Sequence, residues 1–230
     1  MDLDVIVVGA GPAGATAAKV LGEAGCSTLV LDKCAFPRDK PCGGGISARV
    51  MQRFPYLVGT LAGIAAHWVS KIYFESPDGS GVDYESAEPL YLMIRRREFD
   101  HLLLKIARVE IQTDALVRKI AFDSGRVVIS ADVSGEPREF CCRMVLGCDG
   151  ANSVVARAAG LRTGRVQAEY AIDMMEETPV AELNFAERDR MHVYYRIHGK
   201  QFLGECGVCP ARCDLKNATN RLATSPPGLA

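Results

Sequence analysis

The chain has 230 residues, a formal net charge of −1 at pH 7 and 48% hydrophobic residues. This length suits one large domain, or one domain with a smaller second one, and the composition is that of an ordinary globular protein. The small net charge gives no general argument for nucleic-acid binding, so we expect no nucleic-acid partner.

Nine cysteines are spread along the chain without the spacing of a disulfide framework. The opening MDLDVIVVGAG has no basic segment before its short apolar run, so it does not read as a signal peptide. We therefore expect reduced thiols and a cytoplasmic protein. The longest apolar stretch, FPYLVGTLAGIAAHWV, is interrupted by Pro55, Gly59, Gly63 and His67 and falls short of a membrane span.

The strongest motif is a glycine-rich turn between a predicted strand, residues 5–8, and a predicted helix. In the GxGxxG pattern, Gly9 permits a tight turn, Gly11 lets backbone approach a pyrophosphate, and Gly14 allows close packing of helix on strand. Pro12 suits the first turn of the helix, whose N-terminus favours anions. The motif predicts a dinucleotide site.

A carboxylate follows at the distance that such a site requires. The second predicted strand, residues 27–31, ends at Asp32. This side chain can accept both hydroxyls of a ribose and would repel a 2′-phosphate. The acid favours a dinucleotide site over a plain turn.

Three short strands are predicted further along, over residues 117–122, 126–131 and 138–142. The turn residues at 123–125 and 134–137 join them, which indicates an antiparallel meander.

A second strand–turn–helix segment follows the meander. Residues 144–148 read as a buried strand, Asp149 and Gly150 as the turn, and residues 153–159 as a short helix. The alternative is a plain connection between strand and helix with no ligand.

These motifs, together with an arginine that opens the helix REFDHLLLKIA, resemble those of FAD-dependent oxidoreductases of the hydroxylase-like superfamily. The loop FPRDKPCGGGIS is similar to that of the geranylgeranyl reductase family, whose members saturate isoprenoid double bonds. The resemblance covers residues 4 to about 175. It implies an α/β fold, with a Rossmann-like FAD-binding domain that carries the three-stranded antiparallel meander, plus a smaller, partial β-rich substrate domain.

The expected domain boundaries follow from this resemblance. Residues 1–60 and 95–165 would form the FAD-binding domain, residues 61–94 and 166–205 the partial substrate domain, and residues 206–230 an irregular tail. The hairpin KIYFESPDGSGVDY and the strand-like AEYAIDMM and HVYYRI would belong to the substrate domain.

The resemblance also implies FAD as the cofactor. Arg97 would contact FAD, although the run RRR can also be read as solvated charge. Val117 would meet the adenine through its backbone, and Asp149 would lie near the pyrophosphate. The residues expected to bind FAD are Gly9, Gly11, Pro12, Ala13, Gly14, Asp32, Lys33, Arg38, Cys42, Gly43, Arg97, Val117, Asp149 and Gly150.

In this family the CGGG loop lies against the flavin. The glycine triplet 43–45 would let backbone amides approach the ring, and Cys42 would face the reacting region as a hydrogen-bonding or redox-active thiol. Arg38 and Lys40 would add positive charge near reduced flavin or the pyrophosphate. The alternative is a flexible surface loop with solvated charges. The predicted catalytic residues are Cys42, Gly43 and Gly44.

The implied reaction is the FAD-dependent reduction of a geranylgeranyl-type carbon–carbon double bond. Cys42, Tyr194 and Tyr195 are candidate proton donors, and NADPH or reduced ferredoxin would supply the electrons. A prenyl-lipid substrate needs an apolar tunnel and is compatible with peripheral membrane contact. The alternatives are an FAD-dependent monooxygenase on the same scaffold and a non-catalytic, truncated FAD-binding remnant.

Apolar residues at helical spacing, namely Leu57, Leu61, Ile64 and Trp68, are interpreted as a core stripe, with a lipid or tunnel contact as the alternative.

The C-terminal part departs from the family. The family's Gly-Asp motif does not occur in the sequence, so we expect a truncated or frameshifted member. Cys206, Cys209 and Cys213, with His192 and His198 nearby, have only a partial metal-site spacing, and we expect no metal.

Overall fold

A computed structural model describes residues 3–76, 78–161, 190–198 and 201–208. Its residues group into two compact units. The first unit contains the described residues up to Asp39 and those from Asp100 to Leu161, and the second contains residues 40–99, 190–198 and 201–208. The units therefore change after residues 39 and 99. The expected boundaries of an FAD-binding and a substrate domain, at 60 and 94, remain predictions.

The first unit is built on one six-stranded sheet. Its strands are β1 (Leu3–Val8), β2 (Thr28–Leu31), β8 (Glu110–Gln112), β9 (Ala115–Asp123), β10 (Arg126–Val133) and β11 (Glu136–Gly147), in the order β8-β2-β1-β11-β10-β9. Its helices are α1 (Pro12–Glu23), α4 (Arg96–Ala107, which starts in the second unit) and α5 (Val154–Ala158).

The second unit contains two smaller sheets. Strands β13 (Gln201–Val208), β12 (Arg190–His198), β5 (Lys71–Glu75) and β6 (Gly81–Glu85) form one, and β3 (Gly45–Ser47), β7 (Tyr91–Ile94) and β4 (Ala66–Val69) form the other. Its helices are α2 (Ala48–Arg53), α3 (Tyr56–Thr60) and a single 3-10 turn at Leu61–Gly63.

The expected fold class is confirmed. Strand β1 pairs in parallel with both β2 and β11, and β9, β10 and β11 form the predicted antiparallel meander. Strands β1 and β2 are short apolar runs because their central positions are covered on both faces, as in parallel sheets. The core of this unit includes Ile6, Leu31 and Ile129.

Strand β11 corrects the sequence interpretation. We predicted two strands, over 138–142 and 144–148, but one strand runs without a break from Glu136 to Gly147. Its first half pairs with β10 and its second half with β1, and Cys142 is opposite both Val127 and Leu3. No turn-forming residue separates the halves, so the strand continues. Met144 is 59% exposed, so the prediction of a fully buried strand was wrong there.

The predicted helical stripe is also only partly right. Leu57, Leu61 and Ile64 are buried, as expected of a core. The helix ends at Gly63, however, because Ile64 is extended, and Trp68 lies in β4 opposite Leu92. The interruption by glycine outweighs the apolar spacing.

The predicted hairpin is confirmed as the antiparallel pair β5–β6, and HVYYRI as part of β12. The segment AEYAIDMM lies outside the described residues, as do Cys209 and Cys213. The segment expected to be an irregular tail begins inside β13. Among the described residues, no helix combines the length and apolar character needed to cross a membrane.

Candidate functional site: a dinucleotide site in the first unit

In the turn after β1, backbone atoms of another segment of the chain pack against Gly9 and leave no room for a side chain there. This residue has φ +98°, and a Cβ on it would stand 2.4 Å from the carbonyl oxygen of Cys148. Its amide donates to the carbonyl of Leu31, at 2.7 Å. The segment after β11 therefore packs directly on the turn, which explains why two motifs far apart in sequence belong to one site.

Gly14 and Gly11 differ in what surrounds them. A Cβ on Gly14 would lie 1.8 Å from the carbonyl oxygen of Gly9 and 3.3 Å from Cβ of Cys148, so the helix packs too closely for any side chain. A Cβ on Gly11 would have one neighbour within 4 Å, the Nη2 atom of Arg38 at 3.6 Å. Gly11 is therefore the position in the turn that a ligand can approach.

The N-terminus of α1 is open to an anion. Gly11 is its N-cap and Pro12 occupies the first turn, no side chain caps the helix, and the first turn has no acidic residue. The first amides of a helix lack partners within it, and the helix dipole favours negative charge there. Ala13 is exposed in this turn.

Asp32 links the end of β2 to the glycine turn. Its Oδ2 accepts from the amide of Ala10 at 2.7 Å, and its Oδ1 accepts from the amide of Cys34 at 2.8 Å. The residue is 8% exposed. Because each carboxylate oxygen has a further lone pair, these bonds leave room for the ribose hydroxyls, and that contact remains a prediction. Lys33 beside it is exposed.

Arg38 lies beside the turn with most of its side chain covered. The side chain is 15% exposed, and its guanidinium carbon is 4.9 Å from the ring centroid of Phe36. Its Nη2 is 3.4 Å from Oδ2 of Asp100. Its buried Nη1 has no hydrogen-bond partner among the described residues. The group is a positive charge next to Gly11 with donor capacity left for a ligand.

Asp149 and Gly150 shape the second turn of the first unit. Gly150 has φ +81°. The Asp149 carboxylate accepts from the Ser153 hydroxyl at 2.5 Å and from the Val154 amide at 2.6 Å, so it caps α5. The side chain thus has a structural role, while its backbone helps to enclose Gly9. Its proximity to the pyrophosphate remains a prediction.

Val117 lies near the start of β9, with 6% exposure. Two residues earlier, the amide of Ala115 donates to the carbonyl of Asp32 at 2.9 Å. The beginning of β9 is therefore attached to the end of β2. The expected backbone contact of Val117 with adenine is compatible with this placement and remains a prediction.

The glycine triplet belongs to the second unit, and its members are not equivalent. Gly44 has φ +74°, and a Cβ on it would stand 2.1 Å from the carbonyl oxygen of Ile94. Strand β7 thus requires a glycine at 44, without any ligand. A Cβ on Gly45 would make ordinary contacts with Met93, and a Cβ on Gly43 would meet nothing within 4 Å. Only Gly43 combines exposure with room for a close approach.

Two other predicted flavin contacts lie in the same unit. Cys42 is partly exposed and belongs to no disulfide. Arg97 lies in the first turn of α4, as expected. Their contacts with flavin, like that of Gly43, remain predictions.

Asp100 was missed by sequence reasoning, which used the segment REFDHLLLKIA only for its arginine. This side chain is fully buried in α4, close to the buried Phe99, Leu103 and Leu104. A charged residue within the apolar stripe of a helix is the signal that identifies it, because buried carboxylates need partners.

The first unit thus combines a parallel sheet, an open helix N-terminus, a glycine turn and a carboxylate at the end of the second strand. This combination defines a dinucleotide-binding protein. A family model described as "FAD binding domain" matches residues 2–225, and the chain belongs to this family.

Named relatives agree with the predicted resemblance. The chain is 36% identical over 169 residues to digeranylgeranylglycerophospholipid reductase 1 of Methanopyrus kandleri, a match that covers 70% of this chain and 43% of the relative. It is 32% identical over 200 residues to geranylgeranyl diphosphate reductase of Rhodobacter capsulatus, covering 85% and 49%. The chain therefore spans less than half the length of these curated relatives.

A solved structure shows the same fold. A geranylgeranyl bacteriochlorophyll reductase-like protein from Thermoplasma acidophilum superposes with a TM-score of 0.69 at 19% identity, over 96% of this chain and 61% of that one. The predicted similarity to geranylgeranyl reductases is confirmed by the names of the two relatives from Methanopyrus kandleri and Rhodobacter capsulatus.

Proposed function

We propose that the chain binds FAD and takes part in the reduction of carbon–carbon double bonds in a geranylgeranyl-type isoprenoid. The observation that carries the proposal is the dinucleotide site of the first unit, in a chain whose relatives are named for reduction of digeranylgeranylglycerophospholipid and geranylgeranyl diphosphate. The bound cofactor supplies the hydride to the alkene.

The residues of the first unit fit the adenosine diphosphate half of FAD. Gly11 leaves space beside the uncapped amides of α1, and Arg38 places a cation there. Both features favour a diphosphate. Asp32 lies at the end of β2, where a carboxylate accepts ribose hydroxyls.

The loop that contains Cys42 holds the candidate residues for the reaction itself. Reduction adds a hydride to one alkene carbon and a proton to the other, so a proton donor is required. Cys42 is the candidate in the described part of the loop, next to the open Gly43. NADPH or reduced ferredoxin would restore the reduced flavin.

One face of the four-stranded sheet supports an apolar substrate. Cross-strand partners share a face, and the register places Ile72 and Phe74 opposite Tyr84 and Val82. Val82 is 65% exposed and Tyr84 53% exposed. We propose that this surface contacts the prenyl chain.

The test uses the 230-residue chain reconstituted with FAD, reduced without oxygen by dithionite and incubated with geranylgeranyl diphosphate. We expect products that carry two additional hydrogens for each saturated double bond, detected by mass spectrometry. Gly11→Ala, which adds a side chain only where a ligand approaches, is the matched inactive control.

Two results would contradict the proposal. Oxygenated product that forms only after air is admitted would identify a monooxygenase. Stoichiometric FAD without any saturated product would leave FAD binding intact and remove the reductase assignment.

A further inference from the structure

Two groups contact the guanidinium of Arg38. Phe36, two residues earlier, provides an aromatic ring at 4.9 Å, and Asp100 on α4 provides a carboxylate oxygen at 3.4 Å from Nη2. Asp100 has no exposed surface, so its charge cannot be stabilised by water. A buried carboxylate is stable when a cation and hydrogen bonds compensate it.

The two terminal nitrogens of the Arg38 guanidinium have different surroundings. Nη2 is 3.4 Å from the Asp100 carboxylate and 3.6 Å from the site of a Cβ on Gly11. Nη1 is buried and has no hydrogen-bond partner among the described residues. A buried donor without a partner costs free energy, so the guanidinium keeps hydrogen-bonding capacity that the described residues do not use.

Two positive features therefore meet beside Gly11. One is the uncapped N-terminus of α1, a helix of 12 residues, and the other is a guanidinium paired with the buried Asp100. The planar fork of arginine suits the oxygens of a diphosphate, and lysine at this position would not reproduce it.

We propose that Asp100 is a positioning residue: it fixes the Arg38 guanidinium beside Gly11 so that the guanidinium donates to the pyrophosphate of FAD. This inference rests on the proposed function only for its use of FAD as ligand. It assigns Arg38 to the pyrophosphate, one of the two positions that the sequence left open for it, and gives a function to a residue that sequence reasoning missed.

The experiment measures how strongly the chain distinguishes ADP from adenosine. These two ligands differ only in the diphosphate, so the ratio of their dissociation constants isolates that contact. The variants are Asp100→Asn, Arg38→Gln and the double variant Arg38→Gln/Asp100→Asn. The double variant leaves neither partner of this ion pair charged. Asp132→Asn is the control, because it removes an Arg–Asp ion pair from the exposed surface of the meander.

We expect Asp100→Asn to weaken ADP and FAD binding about 10-fold and to leave adenosine binding unchanged. The double variant should show nearly the same loss as Arg38→Gln alone, because Asp100 acts through Arg38. Asp132→Asn should bind all three ligands like the wild type. Far-UV circular dichroism and thermal unfolding would establish that each variant is folded at the temperature of measurement.

An unchanged ratio of ADP to adenosine affinity in folded Asp100→Asn would overturn the proposal, as would a wild-type chain that does not prefer ADP. If Asp100→Asn does not fold, Arg38→Lys replaces it. This variant keeps a cation beside Asp100 but loses the planar guanidinium. Unaltered ADP affinity in it would equally refute the proposed contact of Arg38 with the pyrophosphate.

The outcome is independent of isoprenoid reduction. Loss of the ADP preference in a chain that saturates no double bond would support the role of Asp100 and reject the reductase. Saturation of the substrate by Asp100→Asn with unchanged ADP affinity would do the reverse.

Discussion

The two glycine-rich turns of the chain, Gly9–Gly14 and Gly43–Gly45, look alike in sequence but differ in what requires their glycines. In the first turn, Gly9 and Gly14 are required by backbone atoms of the first unit, and Gly11 is open. In the second turn, Gly44 is required by Ile94, and Gly43 is open. Each turn therefore contains at least one glycine that the fold needs and one, Gly11 or Gly43, that a ligand can approach.

This comparison separates structural from ligand-binding glycines without reference to any cofactor. A Cβ that meets backbone cannot be accommodated by rotation of a side chain, so substitution destabilises the fold. A Cβ that meets open space changes only the approach of a second molecule. Alanine at Gly14 or Gly44 should therefore lower the stability of the fold. Alanine at Gly11 or Gly43 should leave the stability unchanged and affect only the approach of a ligand.

Gly14→Ala should have the largest effect. Its Cβ would lie 1.8 Å from the carbonyl oxygen of Gly9, which forces α1 away from β1. We expect a loss in the free energy of unfolding of at least about 4 kcal/mol, measured by urea denaturation. Gly11→Ala is the control in the same turn. Similar stability for the two variants would show that α1 does not pack against the carbonyl of Gly9 as closely as the structure has it.

Gly44→Ala should have the next largest effect. It adds both a contact of 2.1 Å with the Ile94 oxygen and a side chain at φ +74°. We expect a loss of about 3 kcal/mol in the free energy of unfolding. Gly43→Ala should stay within about 0.5 kcal/mol of the wild type. Equal losses at both positions would mean that the triplet is simply a strained turn.

Gly11→Ala should leave the melting temperature unchanged and weaken FAD binding about 100-fold, which corresponds to about 3 kcal/mol. The new methyl group would occupy the space beside the first amides of α1, where the diphosphate is expected. Fluorescence titration of FAD gives the affinity. Normal FAD affinity in this variant would place the cofactor elsewhere.

The sequence predicted the first turn well because its information is local. Strand, glycine spacing, helix and acid lie within residues 5–32, and each constrains the next. The structure adds two contacts that local spacing does not predict. The backbone of Cys148 packs against Gly9, and Asp32 accepts a hydrogen bond from the amide of Ala10.

The second turn was less predictable because its decisive contact is long-range. Residues 44 and 94 meet across β3 and β7, and nothing near the triplet in sequence indicates this. The same reason explains why Asp100 was missed, since its partner Arg38 lies far away in the chain. The unbroken strand β11 was missed for a different reason, because its two halves have different partners and different exposure patterns.

The smallest expected effect tests that strand. Cys141 and Cys142 are neighbours in β11 whose side chains point to opposite faces, so Cys141 is exposed and Cys142 is 2% exposed. Burial raises the pKa of the Cys142 thiol, which lowers its thiolate fraction at pH 8 and adds to its poor access. We expect iodoacetamide to modify Cys141 at least about 10-fold faster than Cys142 in the folded chain. The single variants Cys141→Ser and Cys142→Ser assign the label, read by mass spectrometry of the peptide.

Because Cys142 is opposite both β10 and β1, its protection should persist until the whole first unit unfolds. Rapid labelling of Cys142 under native conditions would mean that the strand is interrupted there, as the sequence had suggested.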